Sequence, residues 1–291
     1  MQLLEGRTAV VTGAAQGLGQ SIAAAFVAAG ANVVLGDIAP DAVAATARGL
    51  GAGDRAVGLA CDVTDADQVQ ALLAAAVERF GGLDVMVNNA GFTRDATMRK
   101  MSEDDFDAVI AVHLKGTFQC TRHAAPLMKD KGYGRIINIT SSAGLRGNFG
   151  QTNYSAAKAG IAGMTLTWAI ELAKYGITVN AMAPSAVTRM TTGLLPGMED
   201  KIPPEMDPAL NAPLIAFLAS EKAAHVNGQV FGRRGYTYTI FQQYKILAGM
   251  ASADGWTAEK VAKNFDTVLA NFMTTPGMDI KIKKPGEEEK K

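Results

Sequence analysis

The sequence predicts an α/β chain built on a doubly wound parallel sheet of about seven strands, with helices on both faces and a C-terminal extension. Three observations predict it. Short apolar, β-branched runs alternate with helical stretches from Thr8 to Ala183, the pattern of repeated parallel crossovers. A glycine-rich turn follows the first such run. Polar or turn residues (Asp37, Asp62, Asn89, Ser141 and Pro184) stand at or just past the ends of successive runs. Ligands of open parallel sheets bind beyond the carboxyl ends of the strands, so these residues should converge on one cleft.

The elements follow in order. Thr8-Ala-Val-Val11 reads as a buried strand running into Gly13-Ala-Ala-Gln16-Gly17-Leu18-Gly19, and Ser21 to Ala29 as a helix closed by Gly30. The glycines allow main-chain amides to approach a phosphate, and the helix N-terminus favours its charge. Ala31 to Asp37 is the next strand. Asp37 is placed to hold adenosine ribose hydroxyls and repel a 2′-phosphate, which favours NAD over NADP; the other reading is a solvent-facing Asp opening the next helix. Asp41 to Leu50 reads as helix, Arg55 to Cys61 as strand, and Thr64-Asp65-Ala-Asp67 opens a helix that ends at Gly81-Gly82. Leu83 to Val87 is a strand before Asn88-Asn89-Ala90-Gly91. Ser102 opens a long helix reaching Lys131, with a possible kink at Pro126. Gly134 to Thr140 is a buried strand, Gln151 to Tyr175 a helix, and Ile177 to Met182 a strand before Ala183-Pro184.

On the helix from Gln151, Tyr154 and Lys158 are four residues apart and share a face. A phenol beside an ammonium has its ionised form favoured, so the expected Tyr154 pKa lies below ~10, fit for proton transfer to or from an alcohol oxygen.

Composition narrows the function classes. The 291 residues are 48% hydrophobic and 19% charged, with zero formal net charge. No global field points to nucleic acid or to an anionic membrane. Cys61 and Cys120 have no metal or redox spacing and are expected as buried thiols, with no metal site. The N-terminus lacks signal-peptide character and no apolar run approaches the ~20 residues of a membrane span. A cytoplasmic protein with a small-molecule substrate is expected, and a homodimer or homotetramer.

Thr12-Gly-Ala-Ala-Gln-Gly-Leu-Gly19, Asn88-Asn-Ala-Gly91, Ser141 and Tyr154-x3-Lys158, in this order, resemble the short-chain dehydrogenase/reductase family over roughly residues 4 to 232. The resemblance implies a Rossmann-type fold and a nicotinamide cofactor. Gly13, Gln16, Gly17, Leu18 and Gly19 would hold the pyrophosphate, Asp37 the ribose, and Asp62 and Val63 the adenine. Asn89, Ala90, Gly91, Pro184, Val187 and Thr188 would line the rest of the cofactor cleft. Tyr154 would carry the proton, Lys158 would hold the nicotinamide ribose, and Ser141 would bond the reacting oxygen while hydride passes between an alcohol carbon and NAD. A dinucleotide-binding module without turnover should have lost Ser141, Tyr154 or Lys158; none is altered.

Two positions depart from the family pattern. His113 stands where an Asn often anchors a relay water; its ring or carbonyl would keep that role, the other reading being a structural histidine, and Ser185 follows Pro184 where Gly is common. His113 to Phe118, Gly147 to Lys158 and Ala183 to Met190 resemble the (3R)-hydroxyacyl-CoA dehydrogenase module of peroxisomal multifunctional enzymes and its bacterial relatives. The resemblance therefore implies an acyl-CoA substrate, with 3-oxoacyl-carrier-protein reductases and dehydrogenases of hydroxysteroids or other hydrophobic alcohols as the alternatives.

Residues 1–235 are expected to form the catalytic domain. Thr191 to Pro213, rich in Met and Pro, resembles a substrate lid, and Leu214 to Ser220 a helix. Val226 to Phe231 resembles the last strand. Residues 236–280 are expected as a largely helical extension packed on the same domain or a dimer seam: strand then helix over Tyr236–Met250, then an amphipathic helix from Thr257 to Phe272. Residues 281–291 are expected to be disordered. Arg233, Arg234 and Lys245 are candidate contacts for CoA phosphates.

Overall fold

In β1 (Thr8–Thr12) alternate side chains enter two different cores: Ala9 and Val11 join one apolar cluster and Val10 the other. The same split recurs in β2 (Asn32–Asp37), β4 (Val85–Asn88) and β5 (Gly134–Ile139). A strand buried on both faces needs helices on both, and parallel crossovers supply them. The computed structural model describes residues 2–185, 203–242, 246–253, 255–273 and 277.

The first core lies under α1 (Gly17–Ala28) and α8 (Ala212–Leu218). The second lies under α3 (Ala66–Phe80), α5 (Gly116–Lys131) and α7 (Thr152–Leu172). Completing the frame are α2 (Pro40–Gly49), β3 (Ala56–Ala60), α4 (Glu103–Val109), α6 (Ser142–Arg146), β6 (Ile177–Ala183) and β7 (Val230–Arg234). The sheet runs β3-β2-β1-β4-β5-β6-β7-β8, parallel through β7. All carboxyl ends of β1 to β7 therefore share one edge.

Local chemistry sets the boundaries. Asp65 accepts from the amides of Asp67 and Gln68 to start α3, and Gly81, at φ 79°, ends it. Ser102 accepts from the Asp105 amide to start α4. Pro126 lies inside α5 without ending it. The irregularity of this long helix falls earlier, at Ile110–Lys115, where one turn widens to π geometry.

The doubly wound sheet with helices on both faces is as expected, with three differences in detail. The sheet has eight strands, because β8 (Thr237–Phe241) turns back at Gly235-Tyr236 and pairs antiparallel with β7. Residues 246–250 have no regular structure where the pattern predicts a helix. The strand predicted from Val226 begins only at Val230, because Asn227 and Asn180 bridge that stretch through side chains: the Val179 amide donates to Asn227 Oδ1 and Asn180 Nδ2 to the Val226 carbonyl, each at 2.8 Å. Helix α9 (Ala258–Val268) lies within the predicted Thr257–Phe272 helix. Val187, Thr188, Lys245, most of the predicted lid and residues 281–291 lie outside the described residues.

A buried amide ladder joins β4, β5, α5 and α7. Asn88 Nδ2 donates to Thr121 Oγ1 (2.9 Å) and Asn138 Oδ1 (2.8 Å), and Asn138 Nδ2 donates to Thr165 Oγ1 (2.9 Å). Asn138→Ala leaves partners on both sides short of a hydrogen bond, at a cost of about 1–3 kcal/mol. A lowered urea midpoint with an unchanged m-value would report it.

Candidate active site

The turn between β1 and α1 is pinned to the end of β4. Asn89 Nδ2 donates to the carbonyls of Thr12 and Gly13, both at 2.9 Å. Thr12 Oγ1 accepts from the amides of Asn89 (3.1 Å) and Ala90 (3.2 Å). The approach leaves no room for side chains: a Cβ on Gly13 would lie 2.7 Å from Ala90 Cα, and one on Gly19 2.2 Å from the Gly13 carbonyl. Gly13 and Gly17 also sit at positive φ, 62° and 59°, where side chains are disfavoured. The side chain of Gln16, the residue that opens α1, makes no capping hydrogen bond, and the first turn holds no acid. Uncapped amides behind a side-chain-free turn fit the pyrophosphate of a dinucleotide. Gln16 is exposed at this turn, whereas Leu18 buries its side chain in the core, leaving its main chain for a ligand.

Around this turn stand the other expected cofactor contacts. Asp37 ends β2; its Oδ2 accepts from the Ala15 amide (3.0 Å) and its Oδ1 from the Ala39 amide (3.1 Å). Asp62 Oδ1 accepts from the amide and hydroxyl of Thr64. Val63 packs against Gly116, where a Cβ would come within 2.6 Å of it. A small recess is lined by Thr12, Val63, Asn88, Ala90, Val112 and Gly116, among others. Pro184 follows directly on β6 at the same edge of the sheet.

The three groups expected to do chemistry come together at the amino end of α7. Ser141 begins α6, its Oγ accepting from the Ala143 amide (3.2 Å), and is hydrogen-bonded to Tyr154. Lys158 is 3% exposed; its Nζ donates to the Ile139 carbonyl at 2.6 Å and lies 5.6 Å from the Tyr154 ring centre. The electrostatics differ from the helix-face argument. Burial pushes the Tyr154 phenol above its usual range, opposed by the Ser141 hydrogen bond, while Asp95 raises it further. Burial also lowers Lys158 to about 7, so the amine is neutral at the pH where the phenol ionises and does not pull it down. Proximity on one face supplied the contact; desolvation, invisible to spacing, removed the charge.

His113 is buried within the π turn. Its Nε2 lies 2.7 Å from the Phe92 carbonyl and 3.0 Å from the Phe92 amide, so that nitrogen is engaged by protein main chain. The His113 carbonyl accepts from the Gly116 amide. Gly91 touches this ring: a Cβ there would lie 2.0 Å from Cε1.

Asn153 and Gln151, which the sequence reading does not single out, fasten the neighbouring loop. Asn153 Nδ2 donates to the carbonyls of Arg94 (3.0 Å) and Asp105 (3.1 Å), and its Oδ1 accepts from the Tyr154 amide (2.7 Å). Gln151 Nε2 donates to Asp95 Oδ2 at 2.8 Å. Their place directly before Tyr154 was the available signal. Arg233 is not free for CoA phosphates. It is 5% exposed, donates to Asn211 Oδ1 (3.0 Å), and meets the carbonyls of Ser185, Glu205, Asp207 and Gly235.

The sequence profile of the short chain dehydrogenases matches residues 7–198. The chain belongs to the short-chain dehydrogenase family. It is 44% identical over 247 residues to the hydroxyacyl-CoA dehydrogenase ChsB1 of Mycobacterium tuberculosis, covering 78% of this chain and 77% of that one. It is 43% identical over 243 residues to the 3-oxoacyl-[acyl-carrier-protein] reductase FabG of Thermotoga maritima, covering 80% and 98%. The crystal structure of a short chain dehydrogenase from Mycobacterium avium superposes with a TM-score of 0.82 at 40% identity, covering 94% of this chain and 98% of that one. As a short-chain dehydrogenase, the protein is an oxidoreductase of CH–OH groups that uses a nicotinamide dinucleotide. Among the described residues, no helix is long and apolar enough to cross a membrane.

The Lys158 environment predicts a pH dependence. The native pKa of about 7 lies below the ordinary 10.5. Between these values the unfolded chain binds a proton that the native chain does not, so stability from this group grows as pH rises from 7 and is lost as pH falls toward 7. Without dinucleotide, the Tm advantage of wild type over Lys158→Met should grow from pH 7 to about pH 9. A constant gap would mean that the native lysine is charged throughout.

Proposed function

We propose that the protein is an NAD-dependent dehydrogenase acting at C3 of an acyl thioester, interconverting (3R)-3-hydroxyacyl-CoA and 3-oxoacyl-CoA. The observation that carries the chemistry is the Ser141–Tyr154 hydrogen bond with Lys158 behind the phenol ring. The likeness to a hydroxyacyl-CoA dehydrogenase, together with His113 and Pro184-Ser185, supports the substrate class.

In this reading the main chain of Gly13, Gln16, Gly17, Leu18 and Gly19 holds the pyrophosphate. Asp37 holds the adenosine ribose, Asp62 and Val63 the adenine, and Asn89, Ala90, Gly91, Pro184, Val187 and Thr188 the remainder. The bound dinucleotide supplies the acceptor for the hydrogen and electron pair that leave the alcohol carbon. Ser141 donates to the reacting oxygen and orients it. Tyr154 takes the hydroxyl proton during oxidation and returns it during reduction. Lys158 donates to the nicotinamide ribose and regains its charge where an anion is held nearby, because opposite charge favours the ammonium. That charge then favours ionised Tyr154.

Asp37 supports NAD. Its carboxylate is fixed by two main-chain amides, and a fixed negative charge beside the ribose disfavours a 2′-phosphate. Asp37→Ser should narrow the preference for NAD over NADP in kcat/KM by about tenfold, equivalent to ~1.4 kcal/mol. An unchanged ratio would remove Asp37 from cofactor selection.

The substrate test measures NAD reduction with (3R)-3-hydroxyacyl-CoAs, the same acyl groups on acyl carrier protein, and free hydroxysteroids. The CoA thioesters should give the highest kcat/KM. The likeness to a 3-oxoacyl-[acyl-carrier-protein] reductase favours the carrier-protein thioester as the second reading, and a preference for it would replace the first. Activity on a free steroid with none on thioesters would overturn both. Tyr154→Phe should lower kcat by about 10²–10⁴-fold with NAD binding retained; near-normal turnover would exclude Tyr154 as the proton carrier.

A further inference from the structure

The loop following β4 is anchored by a side chain that a regular α-helix would aim elsewhere. At Gly116 the amide reaches back to the Ala111 carbonyl, five residues away, and the inserted residue widens the helix at Ile110–Lys115. Single π turns of this kind re-aim the side chains they carry. His113, within the turn, is 1% exposed. Its Nε2 contacts both main-chain groups of Phe92, at 2.7 Å and 3.0 Å. Cε1 of the ring lies where a side chain on Gly91 would be. The ring also meets Tyr154 edge-on, with centroids 5.2 Å apart and planes at 90°. Among the described residues, Nδ1 has no hydrogen-bond partner. Burial first, then the neighbouring Lys158, push the imidazole pKa down to about 3. At working pH it is uncharged, with one N–H and one lone pair.

The same loop is fastened at three points to the residues immediately preceding Tyr154. The Arg94 carbonyl accepts from Asn153 (3.0 Å), Asp95 from Gln151 (2.8 Å), and the Ala96 amide donates to the Gly150 carbonyl (2.9 Å). These contacts tie residues 94–96 to the amino end of α7. The end of the loop at Gly91–Phe92 is held by His113, from a different helix, and by the same ring that supports Tyr154. Loop and phenol are thus braced against one uncharged wedge.

We infer that His113 is a positioning residue that sets the Gly91–Ala96 loop and the Tyr154 ring relative to each other, acting on alcohol turnover and not on dinucleotide binding. The inference rests on the reading of Tyr154 as proton carrier. It differs from a relay role: the imidazole transfers no proton and need not contact substrate.

Two variants separate the alternatives. His113→Gln retains an amide donor and acceptor that can reach the Phe92 carbonyl and amide. His113→Phe retains a ring against Tyr154 and neither polar group. Each is compared with wild type by kcat and KM on the (3R)-3-hydroxyacyl-CoA turned over fastest, by NADH titration, and by the pH profile of kcat/KM. His113→Phe should lose at least about tenfold in kcat/KM, since small misplacements of reacting groups cost this much or more. His113→Gln should recover to within about threefold, with NADH affinity in both variants within about twofold of wild type and the limbs of the pH profile unmoved. Undiminished turnover in His113→Phe, equal losses in both variants, or a loss expressed in NADH affinity would overturn the inference. A vanished limb of the pH profile would make His113 an acid or base and overturn it too. Should His113→Phe fail to fold, His113→Leu, which removes both polar groups in a smaller volume, must show the same loss in kcat/KM with NADH affinity kept within about twofold, or the inference fails. Tyr154→Phe in parallel keeps the two levels apart. Retained turnover there sinks the proton-carrier reading, whereas an inactive Tyr154→Phe beside a normal His113→Phe sinks this inference alone.

Discussion

The cleft depends on the contact between the end of β1 and the end of β4. Asn89 gives both hydrogens of its amide to the carbonyls of Thr12 and Gly13, and Gly19 lies so close behind that a single methyl group would collide with the turn. This contact fixes where the chain leaves β1, and so where the amides of α1 point. Because the first seven strands are parallel, the same edge then collects Asp37, Asp62, Ser141 and Pro184. A displaced turn would separate the first amides of α1 from Ser141, Tyr154 and Lys158 without breaking any helix or strand.

The chemistry is arranged by desolvation as much as by contact. Tyr154, Lys158 and His113 are all shifted toward their neutral forms, burial being the first cause in each case. Neutral groups cost less to bury than charged ones, so the depth of the site favours these forms. Ser141 offers the phenol oxygen a hydrogen bond; Lys158, lowered to about 7 by burial, offers its charge more fully when something anionic stands nearby.

Much of this was legible in the sequence, for identifiable reasons. Short continuous apolar runs such as those holding Val10-Val11 and Ile136-Ile137, caps such as Asp65 and Ser102, and glycines with steric duties at 13, 17 and 19 are local signals. They placed the strands, helix starts and phosphate turn to within a few residues. What escaped were effects settled by the surroundings. The π turn at Ile110–Lys115 leaves no mark in a helical pattern. Thr237–Phe241 reads as a strand, but nothing local says that it runs antiparallel. Spacing gave the Tyr154–Lys158 contact but not the depth that strips the lysine of its charge. Arg233 looked like a surface cation because the carbonyls around it come from four separate positions in the chain.

That last arrangement has a consequence for how the protein can change. Ser185 on one side, and Glu205 and Asp207 on the other, present their carbonyls to the same guanidinium, so the chain departs from the sheet edge and returns to it at one fixed anchor. The guanidinium is buried, so substituting Arg233 would leave these carbonyls without a donor and out of reach of bulk water, at a cost of about 1–3 kcal/mol for each group left unpaired. Position 233 is therefore closed to gradual change, because a lysine, with three donors on one nitrogen, cannot serve the acceptors that the planar guanidinium reaches here.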